Sequence, residues 1–203
     1  FDLRDISDRL TGSRDTEALV YEFLGYLQAV HPDWRASLAF YEVSRDALVN
    51  VYHRAGQRLV RRDINLPVDE LPARLVRKFF HPSAFFNHAE RRTLLTHVFG
   101  TSPAYEPDPL EAPALTALTA TDFWHACVCL PMADAEDVLA LLVIVSEKRG
   151  AFGGKTVSDL IPVKSMAALA LAQHLHRAGR TRSTDPALPA AAVEALLISP
   201  ELT

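Results

Sequence analysis

The chain has 203 residues, of which 49% are hydrophobic and 23% charged, and its formal net charge is −4. This is enough apolar material for one domain with extensions or for two small ones, and it excludes a chain disordered throughout. The charge offers no basic face for nucleic acid, and no segment approaches the roughly 20 consecutive apolar residues that span a bilayer. Arg54, Arg58, Arg61 and Arg62 cluster in sequence and read as a solvated edge.

Taken in order, Leu3, Ile6 and Leu10 have helical spacing, and Thr11–Gly12–Ser13 interrupts them. A second helix is predicted from Asp15 to Val30, with Val20, Phe23, Leu27 and Val30 on one apolar face. Ser13 or Asp15 caps it, and Pro32 ends it. Arg35 to Val43 and Ala47 to His53 read as a hairpin around Ser44–Arg45–Asp46. Alternation puts Val49, Val51 and His53 on one face of the second strand, and Leu48, Asn50 and Tyr52 on the other. Leu59 to Leu66 follows as a short extended segment, then a helix from Pro72 to Phe80. Ser83 to Asn87 reads as a short strand and His88 to Phe99 as a helix. Residues 101 to 122 carry Pro103, Pro107, Pro109 and Pro113 and read as a long loop.

The clearest pattern comes next. Ala126 to Leu130 is a short apolar strand that Pro131 is expected to stop. Asp134 to Asp137 makes an acidic turn, and Val138 to Val145 is an unbroken apolar run, expected to be a strand buried on both faces. A turn over Thr156 to Leu160 is expected to precede a helix that starts near Pro162 and stops at Gly179. That helix is apolar on several sides and needs partners on more than one of them. Residues 180–203 read as a tail or linker, with a short helix over Ala190 to Ile198. The chain begins at Phe1 rather than Met, and reads as a piece whose output domain lies outside it.

The chemistry-bearing motifs are few. Gly150 to Thr156 imitates a phosphate-binding loop, but Arg149 stands where its first glycine is needed, so it reads as a turn. The two cysteines, Cys127 and Cys129, lie side by side on one strand face; a disulfide between them would be strained, which points to a reducing, cytoplasmic setting. None of the eight histidines has a metal-binding spacing, and no nucleophile elbow or paired carboxylates are present.

Cys129–Leu130–Pro131–Met132, the Val138–Val145 run, Phe152 and the closing helix together resemble the GAF family of regulatory domains, over roughly residues 3 to 178. Ala140 replaces the glycine usual in that family. The resemblance implies an α+β fold: a central, mainly antiparallel sheet of five to six strands, with N- and C-terminal helices on one face and small helices and loops on the other. It implies a GAF-like domain over 1–179 and a tail over 180–203. It also implies a non-enzymatic sensory module that binds a small molecule and signals through its terminal helices as a homodimer, without nucleic acid or membrane. By strand alternation and this analogy, the ligand pocket draws on Tyr41, Tyr52, Phe85, Phe86, His125, Cys127 and Cys129. Haem held by a histidine would fall to His81, His88, His97 or His125. The cysteine beside a histidine that attaches bilins in phytochromes is missing, as is the cyclic-nucleotide signature, so no cofactor is named. The rival readings are a ligand-free dimerisation scaffold and a cysteine-dependent reductase.

Overall fold

A computed structural model describes residues 1–80, 105–134 and 138–183. The sequence-predicted strand over 83–87 and helix over 88–99 lie outside them, as do the three acidic-turn positions 135–137 and the tail beyond 183. Among the described residues, five strands form one antiparallel sheet in the order β3-β2-β1-β5-β4: β1 (Trp34–Glu42), β2 (Ala47–Ala55), β3 (Arg58–Pro67), β4 (Ala126–Ala133) and β5 (Val138–Ser146). The apolar run of β5 sits beside β1 and β4 near the middle of the sheet, where both faces are covered.

One face carries three helices, α1 (Leu3–Thr11), α2 (Thr16–Val30) and α5 (Gly154–Ser183). The starts of α1 and α2 are fixed locally. The Asp2 carboxylate accepts from the backbone N–H groups of Arg4 and Asp5, and Asp15 accepts from Ala18 at 2.8 Å. The Tyr26 hydroxyl ties α2 to the start of α1, accepting from the Asp2 N–H at 2.6 Å and donating to the Asp2 carbonyl at 2.9 Å. Phe23, Leu24 and Leu27 of α2 meet Leu38, Leu142 and Ile144 of the sheet, with Leu160, Val163 and Leu171 of α5 beside them. Val30, expected on the buried face, is instead at the helix end and 38% exposed.

The other face is covered by α3 (Ala73–Phe79), α4 (Ala112–Leu115) and the single turn Thr116–Leu118. Leu75, Phe79, Leu115 and Leu118 pack there on Ala39, Val51, Cys127, Cys129, Leu141 and Val143. Ser37 secures the turn by donating its hydroxyl to the Leu118 carbonyl.

Three local expectations are corrected. The strand β4 runs through Pro131 to Ala133 rather than stopping at it. β4 is an edge strand, and the ladder phase turns the missing N–H of Pro131 away from β5, so no sheet bond is lost. The register skips Val49 between β1 and β2, and this bulge moves Leu48 onto the same face as Val51, away from Tyr52. Helix α5 begins at Gly154 and passes through both Pro162 and Gly179 to Ser183. Pro162 deprives only the exposed Ser158 carbonyl of a helical partner, and that group can turn to water.

Candidate functional site

Below the start of β4, the described residues enclose a half-open cleft of about 650 Å³. Its walls come from three places. Glu106 belongs to the segment after Tyr105; Trp124, His125 and Cys127 lead into β4; Arg149 and Phe152 come from the turn between β5 and α5. The cleft's volume is within the range of small-ligand sites.

The first wall is built by a chain of bonds. Tyr105 exchanges backbone hydrogen bonds of 2.8 Å with Cys129, an isolated bridge on the outer edge of β4. Its hydroxyl donates to Glu111 Oε2, which also accepts from the Asp108 N–H at 2.8 Å. Arg74 of α3 pairs with Asp108 and lies 5.5 Å from the centre of the Tyr105 ring. Burial and the bond to Glu111 push the Tyr105 hydroxyl far above its ordinary range. The same bond, with the Asp108 amide and Arg74, holds the Glu111 carboxyl below its ordinary range.

The predicted pocket residues divide by position. Cys127 and His125 line the cleft; His125 is exposed and meets Phe123 edge-on at 5.0 Å. Cys129 faces the same side of the sheet but is fully buried behind Tyr105. Tyr41 is also on this side, against Phe80 at 5.1 Å, with its hydroxyl donating to Asp46 at 2.7 Å. Tyr52 is one residue out of phase with Val51, so it points to the helix-covered face, near Phe40 and 3.5 Å from Glu17. Phe85 and Phe86 lie outside the described residues, as do His81, His88 and His97. Sequence reasoning missed Glu106, Trp124 and Arg149. The prolines around Glu106 and the glycines after Arg149 mark both stretches as turns, but nothing local shows that they meet.

The hydrogen bond with Cys127 and complete burial push the Cys129 thiol well above the ordinary range. A thiol held in its neutral form is a poor nucleophile at neutral pH. Among the described residues no group of three or more His, Cys, Asp or Glu is placed to hold a metal ion, and no helix is long and apolar enough to cross a membrane.

Away from the cleft on the same face, the Nδ1 of His53 is buried without a hydrogen-bond partner. Burial, with the Arg62 cation, lowers the pKa of this imidazole. Arg62 itself donates to the carbonyls of Ala117 and Thr119, closing the far end of the cover.

The chain has a GAF-domain fold. The GAF domain of an Acinetobacter phosphoenolpyruvate-protein phosphotransferase is similar with a TM-score of 0.53 and 13% identity, over 88% of this chain and 94% of its own. The phycoerythrobilin-bound GAF domain of a cyanobacterial phytochrome gives 0.56 and 14%, over 86% and 95%. Residues 122 to 287 of a methyl-accepting chemotaxis protein give 0.51 and 15%, over 84% and 96%. No family model and no curated protein sequence matches the chain.

Proposed function

We propose that this chain is a non-enzymatic sensory module that binds a small molecule in the cleft beside β4 and signals through α1 and α5 in a homodimer. The observation that carries the reading is the position of Phe152. It lines the cleft and is two residues before α5. Its ring packs 5.3 Å from that of Trp34, which stacks on His31 at 3.8 Å and meets Phe1, at the entry to α1, at 6.3 Å. A ligand that shifts Phe152 therefore moves the joint from which both terminal helices are held. The mechanism is a population shift, in which the ligand favours one of two packings of this aromatic cluster. Cys129 belongs to the apolar wall behind the cleft, His125 and Cys127 face the ligand, and Tyr41, at the far end of β1 against Phe80, takes no part. The phytochrome relative shows that a GAF fold accommodates a bound small molecule.

Amide exchange of α1 and α5 tests the relay. Phe152→Ala is expected to speed exchange in both helices while leaving β1 and β5 protected. Unchanged exchange in the helices would contradict it.

The alternative is a dimerisation scaffold without a ligand. It is favoured by the dense packing of Leu75, Phe79, Leu115 and Leu118 over the centre of the sheet, which among the described residues leaves the cleft at its edge.

A further inference from the structure

Strand β4 has one outer edge, and Tyr105 uses part of it. Because Cys129 gives both of its backbone groups to Tyr105, the antiparallel ladder directs the N–H and C=O of Cys127 to the same outer side. Continuing the Tyr105 pairing would place Pro107 opposite Cys127. Proline has no N–H to offer the Cys127 carbonyl, so the ladder does not continue from Tyr105 towards Pro107. Among the described residues, the donor–acceptor pair of Cys127 is thus left beside the cleft, in the form of an unextended sheet edge.

Opposite charges flank this edge. Glu106 stands on one wall and Arg149 on another, and neither makes an ion pair among the described residues. Trp124 and Phe152 supply apolar surface between them.

We infer that the cleft binds a short zwitterionic peptide of two or three residues, aligned along the edge of β4. Its central amide exchanges hydrogen bonds with Cys127, its ammonium faces Glu106, its carboxylate faces Arg149, and an apolar side chain lies against Trp124. Three extended residues span about 10 Å, a length suited to a compact cleft rather than to a long groove. Main-chain bonding to a sheet edge gives affinity without fixing side-chain identity, so the site selects free ends and length more than sequence. This inference rests on the small-molecule reading of the same cleft.

The test is an amide-resolved titration of the isotope-labelled chain with the tripeptide Leu-Ala-Leu, once with free ends and once N-acetylated and C-amidated. The free peptide is expected to give saturable shifts at the Cys127 amide and the Trp124 indole. Capping both ends, Glu106→Gln and Arg149→Gln are each expected to weaken binding by about tenfold or more, the cost of one charge-assisted hydrogen bond. Equal binding of the capped and free peptides overturns the inference, as does the absence of any shift at millimolar peptide. The two readings separate cleanly. If a compound that co-purifies with the chain shifts these same amides and the tripeptide does not, the peptide class is wrong and the small-molecule reading stands. If neither shifts them, both fall.

Discussion

Tyr105 and Cys129 are bound to each other through both of their backbone groups, at 2.8 Å each way. This single bridge fixes where the cleft's outer wall begins, and the Tyr105 hydroxyl carries the restraint on to Glu111. Tyr105→Phe is expected to cost about 1.5–3 kcal/mol in a urea titration, the net worth of a hydrogen bond with a charged acceptor. It should also speed exchange of the Cys129 amide. Glu111 has a folded-state pKa below its unfolded one, so its contribution is complete above the unfolded value and is lost as pH falls through the folded one. The stability difference between wild type and Glu111→Gln is therefore predicted at neutral pH and should vanish in acid.

The Arg54 guanidinium occupies the place a Cβ on residue 25 would need. It lies 4.3 Å from the Tyr21 ring centre and donates to the Tyr21 hydroxyl at 3.1 Å. In an Arg54→Ala background, Gly25→Ala should stabilise the chain by about 1 kcal/mol through helix propensity. With Arg54 present, the new methyl expels the guanidinium and that gain is cancelled. A double-mutant cycle on thermal unfolding should show a coupling of about 1 kcal/mol; additive effects would refute the contact.

The two prolines inside regular elements should behave differently. Pro162→Ala restores a helical hydrogen bond to Ser158 and removes a ring from the interior of α5, so it is predicted to stabilise by about 1–3 kcal/mol. Pro131→Val restores an N–H only on the outer edge of β4 and should stay within about 1 kcal/mol of neutral. Chemical denaturation of both variants checks the pair.

Lys164 stands among the inward positions of α5, between Val163 and Ala167, and burial lowers its pKa from 10.5 to about 8. Between these values the unfolded chain binds more protons than the folded one, so stability rises with pH across the window. Below pH 8 the cost of the buried charge is present in full, about 3 kcal/mol. Lys164→Met should remove that rise, and the difference between the two unfolding curves across the window measures it.

The amino-acid pattern reveals the fold more readily than the site. Apolar runs, caps and turns locate the strands and helices because each depends on neighbours within a few residues. Alternation puts Cys127 and Cys129 on one face of β4 correctly, since that strand pairs with β5 without interruption through its centre. It fails at Leu48, where a bulge reverses the phase, and a bulge leaves little trace in hydrophobicity. Pro131 and Pro162 read locally as stops; whether a missing N–H matters depends on what faces it, which is a tertiary property. The cleft is the least legible feature. His125 and Cys127 are marked by their place on β4, but Glu106 and Arg149 reach the same space from segments more than 40 residues apart in sequence.

The central claim is that the space beside β4 holds a ligand. Native mass spectrometry of the chain as purified from cells tests it most directly, run beside a Cys127→Trp variant whose indole fills the cleft. The account predicts a small added mass on the wild type, released on collisional activation and missing from the variant. A bare mass for both proteins, or the same added mass on both, would contradict it.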